Sequence, residues 1–525
     1  MNKPVIDSLT QLLGTQGVSQ IDTDRALFSE DIWAKGETAD FIISPRTTQQ
    51  LADAVAVAHR AKIKLNPRGG GMSYTKGYTP DRAGTAILDL SNMTDIININ
   101  ADDMTVTVQA GVTWAQLYEA LSDKGLRTPF WGPLSGLSST IGGGLSQNNA
   151  FFGAGTHGPS TDSVTSLTVV LADGTIVKTG TAASSKGKPF WRQYGPDLTG
   201  LFLSDAGSFG YKAEATLRLI PLPTHEDHAS VEFDSAADWS EAMAEMGRLG
   251  FACELFGFDP NLQVVRMKRA SLAADFKTLG NVVTKAKGGL LQGLKDGAKV
   301  VLSGRNFIDD AAYSLHWMVE GHSDGEVAGK MKILKDIVAR HGGKTIENSI
   351  PKIMRTNPFG PLNSILGPQG ERWVPIHGIV SMGDGPACVA AMDKMFADMK
   401  PELDRHDIVT GYLLTTLSTN GYLVEPVFIW PEEIHHIHEQ TVEPSVLKRA
   451  KRFESNPDAT ALVTQARQNI LDIFTEFGAA HFQIGRTYPY RDNMSEETRG
   501  VLEGIKALLD PDGLVNAGAL GLNKV

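Results

Sequence analysis

PRGGGMSY, residues 67–74, is a tight glycine run that follows directly on a predicted apolar strand, Ile63–Asn66. Glycine lets backbone N–H groups close on an anion because no Cβ stands in the way, and a pyrophosphate is a natural ligand for such a turn. A plain glycine-rich turn would give the same letters. Taken alone, this stretch therefore leaves both readings open.

A second glycine cluster lies downstream, in PLSGLSSTIGGGLSQNN at residues 133–149. Its hydroxyl and amide side chains can bond phosphate oxygens or the polar edge of a flavin ring. A third stretch, GAGTHG at 153–158, formally fits G-x-G-x-x-G, but Pro159 follows it and no strand-to-helix junction is predicted there. The nicotinamide-type dinucleotide fold is therefore excluded by context.

Over the first ~220 residues, short predicted strands alternate with predicted helices. They include a helix at Thr47–Arg60 and a hairpin at Val164–Thr179. Past residue 226 the predicted strands are longer and more apolar, as in Trp373–Val380 and Gly421–Ile429. A chain of 525 residues exceeds the roughly 250–300 that one core supports. We predict an α+β protein with domains at 1–225 and 226–474 and a C-terminal segment, 475–525, that returns to the first domain.

Composition narrows the functional class. The formal charge of −11 argues against nucleic-acid binding, which needs a basic face. Cys253 and Cys388 are the only cysteines, which suits a reducing compartment. Neither a secretory signal nor an apolar run of ~18–20 residues occurs, so we expect a cytoplasmic protein without a transmembrane segment. Lysines between 277 and 299 accompany apolar residues at helical spacing, and we interpret them as a solvated helix face rather than a membrane-surface helix.

The order of these motifs resembles a known family. The blocks PRGGGMSY, AILDLSNM, TVTVQAGVTWAQLYEAL, SGLSSTIGGGLSQNNAFFGAGTHG, DSVTSLTVVLADGTIVKTG and PDLTGLFLSDAGSFGYKAEATLRLIP follow one another as in the vanillyl-alcohol-oxidase / p-cresol-methylhydroxylase superfamily. LLDPDGLVNAGALGL resembles that family's closing segment. The resemblance implies two α+β subdomains that hold an extended FAD, and a cap domain whose antiparallel sheet covers the flavin.

The same resemblance implies the cofactor site. Residues 68–73 should hold the pyrophosphate, the 141–148 and 153–158 stretches should line the flavin and ribityl chain, and the remaining positions should lie along the adenosine or near the ring. The implied FAD-binding residues are Arg68, Gly69, Gly70, Gly71, Met72, Ser73, Pro133, Ile141, Gly142, Gly143, Ser146, Gln147, Asn148, Gly153, Gly158, Gly207, Gly210, Tyr211 and Asn516. Met72 stands where some members link FAD through histidine, so we predict non-covalent FAD.

The substrate side is implied by ERWVPIHG, residues 371–378, which resembles the active-site strand of the phenol-oxidising branch. Tyr74 falls where that branch carries a tyrosine that helps to hold a phenolate. The branch's adjacent Tyr-Arg pair is not intact here, although Arg486 could supply the charge. His377 and His481 become candidate bases for an alcohol proton, with a hydrogen-bonded structural histidine as the alternative for each.

The predicted reaction is hydride transfer from an aromatic alcohol or para-substituted phenol, possibly lignin-derived, to flavin N5. A 2-hydroxy-acid dehydrogenase of lactate or glycolate type is one alternative, although the H-x-D-G-N-x-H pattern of that branch is missing. A flavin-binding electron carrier or scaffold without turnover is the other. Partners would be the small-molecule substrate and oxygen, a quinone or an acceptor protein, with a homodimer possible. We interpret His435, His436 and His438 as part of an exposed helix and predict no metal.

Overall fold

The protein is described by a computed structural model that covers residues 3–271 and 312–522 of the 525-residue chain. The N-terminal part begins with a small mixed sheet in the strand order β1-β2-β4-β3. Its strands are β1 (Val18–Ser19), β2 (Ile42–Ile43), β3 (Lys64–Arg68) and β4 (Thr85–Asp89). Both β2 and β3 run parallel to β4, and the predicted helix, observed as Thr48–Arg60, connects them. Its N-cap is Thr47, whose side chain accepts a hydrogen bond from the Gln50 N–H.

A second, antiparallel sheet completes the N-terminal part, in the order β5-β6-β10-β8-β9. Its strands are β5 (Ile96–Asn100), β6 (Thr105–Gln109), β8 (Val164–Val170), β9 (Ile176–Lys178) and β10 (Tyr211–Arg218). The two-residue strands β7 (Leu126–Arg127) and β11 (Ile220–Pro221) pair beside it. The predicted hairpin is confirmed as β8 and β9, whose strands pair antiparallel. Two sheets of different topology thus form the expected pair of subdomains.

The rest of the chain builds one antiparallel sheet of eight strands. These are β12 (His225–Phe233), β13 (Glu254–Phe258), β14 (Tyr313–Gly321), β15 (Lys344–Thr345), β16 (Arg372–Pro375), β17 (Gly378–Ser381), β18 (Val409–Leu417) and β19 (Gly421–Trp430). Along the sheet they run β15-β12-β14-β13-β18-β19-β16, and β17 also pairs with β19. The predicted antiparallel cap sheet is therefore confirmed.

Helices pack on both faces of this sheet: Trp239 contacts the face of β13 that carries Gly257, whereas Leu262 and Met354 of two other helices cluster with Phe256 and Phe258 on the opposite face. Besides Thr48–Arg60, the α-helices in the described ranges are Lys3–Leu13, Asp22–Phe28, Trp114–Ser122, Ile141–Gln147, Ala154–His157, Leu198–Leu201, Ala236–Gly247, Pro260–Ser271, Asp324–Arg340, Ser349–Thr356, Gly385–Arg405, His436–Thr441, Pro444–Leu447, Pro457–Glu476 and Glu496–Leu509. The lysines between 277 and 299 lie outside the described residues. None of the helices that the structure describes is both long and apolar enough to cross a bilayer.

The predicted strand Trp373–Val380 is wrong in one respect, because it is two strands, β16 and β17, with a break at Ile376 and His377. Pro426 lies opposite the break on β19 and has no N–H to donate to the ladder. The His377 N–H instead donates to the Tyr488 hydroxyl at 2.9 Å. This interruption decides where the His377 ring lies.

The C-terminal segment returns to the first sheet. Val515 forms a parallel bridge with Leu65 on β3. The Leu65 N–H donates to the Leu514 carbonyl at 3.0 Å, and the Asn516 N–H donates to the Leu65 carbonyl at 3.0 Å. Earlier in the same segment, Ala480 forms a single antiparallel bridge with Ile379 of β17.

Candidate cofactor and substrate cavity

One large cavity, about 1900 Å³ including its mouth, runs from the first glycine run to the cap sheet. Most of the predicted cofactor residues line it. These are Arg68, Gly69, Gly70, Gly71, Met72, Ser73, Pro133, Gly142, Gly143, Ser146, Gln147, Gly207, Gly210 and Tyr211. Sequence segments separated by as many as 140 positions therefore meet around one space.

The glycine run forms a cradle of donors. No backbone N–H of residues 69–74 donates a hydrogen bond within the described part of the chain. The carbonyls are held elsewhere: Gly71 accepts from the Tyr78 hydroxyl at 3.0 Å and Ser73 accepts from the Ile32 N–H at 3.2 Å. Gly71 and Ser73 are buried and the other four residues are half-buried, so this row of free donors is available to an anionic ligand. A pyrophosphate fits this donor set.

Arg68 adds the positive charge. Its side chain is buried, and its guanidinium lies 4.1 Å from the centre of the Phe28 ring. The Nε atom has no hydrogen-bond partner in the described structure. An Arg held in this way and left partly unpaired is suited to a charge-assisted bond with a phosphate oxygen.

The two glycine motifs touch each other. A Cβ on Gly70 would come within 1.8 Å of the Ser138 carbonyl oxygen, and one on Gly69 within 2.2 Å of Thr140 Oγ1. Side chains are therefore excluded at both positions by the second motif's backbone and cap. Gly71 has a φ of +75°, which favours glycine there as well.

The sequence predicted that Asn148 would line the cofactor site, but its neighbour Asn149 lines the cavity instead. Asn148 ends the helix Ile141–Gln147 with a φ of +53°, and its side chain accepts from Thr161 Oγ1 at 2.8 Å. Asn148 is therefore not on the cavity. Asn149 lines it, is buried, and has neither polar side-chain atom paired. Gln147 Oε1 is unpaired in the same region, so this edge offers free amide groups to a polar ring.

Four more predicted cofactor residues lie away from the cavity wall. Ile141 is buried in the hydrophobic core behind the helix. Gly153 and Gly158 flank the short helix Ala154–His157, which contacts the cap: the Gly153 N–H donates to Glu254 Oε1 at 2.7 Å. Asn516 has a supporting place, since its Nδ2 donates to the carbonyls of Gly77 and Ala206. Both of those residues line the cavity.

Toward the cap sheet the wall becomes apolar. Its residues include Phe151, Leu262, Ile365, Trp373, Leu413, Leu423, Val427 and Phe482. Tyr74 lies among them, with its ring 6.0 Å from that of Trp373 in an edge-on arrangement. Burial raises the pKa of Tyr74 well above its ordinary value, and the Glu425 carboxylate raises it further. Tyr74 therefore stays neutral and acts as a hydrogen-bonding group.

Glu425 is the residue that sequence reasoning missed. It lies on β19, lines the cavity, and makes no hydrogen bond or ion pair to the described residues. Burial raises the pKa of its carboxyl to about 8. An isolated carboxyl with such a pKa is typical of a catalytic base. One signal was available: Glu425 is the single charged side chain in the apolar strand Gly421–Trp430.

His377 and His481 do not reach the cavity. The His377 ring is buried between Phe482, at 3.8 Å between centroids, and Tyr488, at 5.2 Å. His481 donates from Nδ1 to the His377 carbonyl at 3.1 Å. Burial lowers the pKa of both rings, that of His377 well below its ordinary value. These histidines hold the β16–β17 break against the C-terminal segment, which is the structural alternative.

The contacts of Arg486 are also those of a residue that stabilises the fold. Its guanidinium donates to the carbonyls of Lys76, Gly77 and Ala517 and to Asn516 Oδ1. Burial lowers its pKa to about 10. It joins the C-terminal segment to the loop after the glycine run and does not line the cavity.

The three histidines near 436 form only partly the exposed helix that we expected. His436 is exposed, but His435 and His438 are buried. His435 caps the helix and contacts Arg372 at 3.0 Å and the Asp31 carbonyl at 3.0 Å. Within residues 3–271 and 312–522, no group of three or more potential metal ligands comes together.

Known proteins share parts of this sequence and its fold. Residues 39–180 match the family model described as an FAD binding domain. The solved structure of p-cresol methylhydroxylase with substrate bound is similar with a TM-score of 0.73 at 16% identity, over 99% of this chain and 97% of that one. The chain thus contains a segment that matches an FAD binding domain, and it shares the overall fold of p-cresol methylhydroxylase, including the antiparallel sheet.

Individual relatives differ in what their names describe. Glycolate oxidase subunit GlcD of Bacillus subtilis is 31% identical over 224 residues, 42% of this chain and 46% of the relative. D-lactate dehydrogenase [cytochrome] 1 of Saccharomyces cerevisiae is 29% identical over 255 residues, 47% and 42% of the two chains. The chain therefore spans under half the length of these relatives. An alkyldihydroxyacetonephosphate synthase structure also shares the fold, with a TM-score of 0.69 at 15% identity, over 98% of this chain and 85% of that one.

Proposed function

We propose that the protein is an FAD-dependent oxidoreductase that removes a hydride from an aromatic alcohol or a para-substituted phenol. The observation that carries the proposal is Glu425, an unpaired carboxyl that lines an apolar cavity continuous with the FAD-binding cradle. Bound FAD supplies the hydride acceptor at N5. The chain supplies a base, a hydrogen-bonding hydroxyl and a wall that keeps water out.

The wall favours an apolar ring over a small polar acid. Trp373, Leu413, Leu423 and Val427 surround the space next to Tyr74. Aromatic and aliphatic side chains of this kind bury a ring with favourable free energy and leave few groups to hydrate a carboxylate. This lining supports an aromatic substrate.

Glu425 and Tyr74 have different polar roles in the proposed reaction. Tyr74 accepts a hydrogen bond from Gln483 Nε2 at 2.9 Å, so its own proton is free to be donated to a substrate oxygen. Glu425, once ionised, accepts the hydroxyl proton as the hydride leaves. Because Arg486 is bound to carbonyls outside the cavity, it does not supply the cation that a phenolate would need there. A benzylic alcohol therefore suits this site better than a phenolate.

Anaerobic titration of the holoprotein tests the proposal. We expect vanillyl alcohol to bleach the flavin absorbance and D-lactate to leave it unchanged. Bleaching by D-lactate or glycolate alone would overturn the substrate class. If no alcohol, phenol or hydroxy acid reduced the flavin, the protein would be a flavin-binding carrier or scaffold instead.

The 2-hydroxy-acid alternative is favoured by the glycolate and D-lactate names of the curated relatives. The charged residues on the cavity wall argue against a 2-hydroxy-acid substrate. Among the described residues that line the cavity, the cations are Arg68 and Lys212, and Lys212 is paired with Asp205 at 2.6 Å. A substrate carboxylate placed near Glu425 would have no unpaired cation beside it on this part of the described wall, and it would face a like charge whenever Glu425 is ionised.

Non-covalent FAD is part of the proposal. Met72 lines the cavity, and no histidine or cysteine does so among the residues described. Acid precipitation should therefore release all yellow colour into the supernatant. Flavin that stayed with the pellet would show a covalent bond. The electron acceptor, oxygen, a quinone or a protein, is to be identified by reoxidation of the reduced protein with each.

A further inference from the structure

An exposed loop between β9 and the helix Leu198–Leu201 stands apart from the cavity and its chemistry. We define the aromatic loop as residues 184–198, SSKGKPFWRQYGPDL. Four large apolar side chains in it are mostly exposed: Phe190 at 53%, Trp191 at 58%, Tyr194 at 62% and Leu198 at 53%. None of the four belongs to a hydrophobic cluster or to a ring pair of the described structure. Such a concentration of exposed apolar residues marks an interaction surface.

The loop backbone is fixed although its side chains are free. Thr181 Oγ1 donates to the Lys188 carbonyl at 2.6 Å, and its N–H donates to the Trp191 carbonyl at 2.9 Å. Thr165 Oγ1 donates to the Pro189 carbonyl at 2.7 Å. The aromatic side chains are therefore presented to solvent by a backbone that is tied to β8, rather than by a loosely held tail.

Charge identifies the surface that fits the loop. Lys186, Lys188 and Arg192 oppose a single acid, Asp197, so the loop is basic on a chain whose net charge is −11. Arg192 is paired with Asp197 at 2.8 Å and Lys188 with Asp103 at 3.6 Å, although 75% of the Lys188 side chain stays exposed. Lys186 is the loop cation without an ion pair among the described residues. Trp and Tyr prefer the boundary between water and lipid, and Lys is attracted to anionic head groups. We propose that the aromatic loop docks the protein on an anionic lipid bilayer.

Flotation of the FAD-loaded full chain with vesicles tests this proposal. Vesicles of phosphatidylcholine mixed with phosphatidylglycerol should carry the protein at low salt, and vesicles of phosphatidylcholine alone should carry about tenfold less. The double variant Phe190→Ser/Trp191→Ser should lose binding about tenfold, and so should Lys186→Glu/Lys188→Glu. Leu508→Ser is the matched control, because Leu508 is 80% exposed on a different element and its loss should leave binding unchanged.

Retention of the flavin spectrum by each variant shows that it is folded. The proposal is overturned if anionic vesicles do not bind the wild-type protein, or if the loop variants bind as well as the wild type. It is also overturned if sedimentation shows that the wild type is a dimer and the loop variants are monomers, while the wild type does not bind vesicles. The partner of the loop would then be a second copy of the chain. Substrate oxidation is not needed for any of these readouts.

Discussion

Gln483 donates from Nε2 to the Tyr74 hydroxyl oxygen at 2.9 Å, across the boundary between the C-terminal segment and the glycine run. The Gln483 backbone has a φ of +52°, an unusual value for a residue with a side chain. Its N–H donates to the Gln147 carbonyl at the end of the second glycine motif, at 2.6 Å. One residue therefore connects Tyr74 to the predicted flavin-binding helix, and the strained backbone indicates a functional constraint.

Tyr74→Phe and Gln483→Leu should depend on each other. Each removes one end of the same hydrogen bond, so we expect each to slow flavin reduction by substrate about tenfold and the double variant to be little slower than either. Anaerobic stopped-flow absorbance measures the rate. Effects that simply add would show that the two side chains act independently. Unchanged FAD affinity in each variant is the control for cofactor loss.

Glu425→Gln should slow flavin reduction by about 10²–10⁴-fold, because the amide cannot accept the hydroxyl proton. In the wild-type protein the base must be ionised, so the rate should rise with pH and level off above the pKa of about 8. Glu433→Gln, a change at a half-exposed carboxyl outside the cavity, serves as the matched control. A wild-type rate that does not change between pH 6 and 9 would contradict Glu425 as the base.

The same carboxyl should make stability depend on pH. Its pKa is raised from 4.5 to about 8 on folding, so the folded state binds the proton more tightly. That contribution is fully present below pH 4.5 and is lost as pH rises through about 8. Relative to Glu425→Gln, the wild-type apoprotein should lose up to about 5 kcal/mol over this window, at about 1.4 kcal/mol per unit of pKa shift, measured by chemical denaturation at several pH values. A constant difference would show that Glu425 is well solvated.

Gly70→Ala should prevent FAD binding or destabilise the protein. The added Cβ would meet the Ser138 carbonyl oxygen at 1.8 Å, and a backbone atom cannot move aside cheaply. Gly500→Ala is the contrasting change, since that helical glycine has nothing within 4 Å of a new Cβ. We expect it to raise stability by about 0.5–1 kcal/mol. Thermal unfolding and flavin content of both purified variants provide the comparison; normal FAD retention by Gly70→Ala would refute the close approach.

The variants Asn149→Ala and Asn148→Gly should distinguish the roles of two adjacent residues in FAD binding. Loss of the Asn149 amide, whose polar atoms are unpaired at the cavity, should weaken FAD binding about tenfold. Asn148→Gly keeps the positive φ available and should leave FAD affinity unchanged. Fluorescence titration of the apoprotein with FAD measures both. The opposite ranking would mean that the turn after Gln147 is differently placed in the loaded protein.

The fold was largely predictable because its evidence is local and repeated. Apolar periodicity predicted the helix Thr48–Arg60 within one residue. The glycine runs predicted the cradle because only small residues permit the approach of Gly70 to Ser138. Composition and order were enough for those elements.

Side-chain direction was not predictable in the same way. Whether Asn148 or Asn149 faces the cavity depends on a single left-handed turn, and a shift of one residue reverses the answer. The position of the His377 ring away from the cavity wall could not be predicted, because the break in its strand lies opposite Pro426 on a partner strand about 50 residues away. Glu425 was overlooked because the sequence did not indicate which face of β19 meets the cavity.

The parallel bridge between Leu65 and Val515 has a consequence for biosynthesis. Residue 65 leaves the ribosome hundreds of residues before the segment that completes its side of the sheet. The nascent chain must keep that edge without this neighbour until residue 515 has been synthesised, so this side of the small mixed sheet is completed only after every strand of the cap sheet has been made.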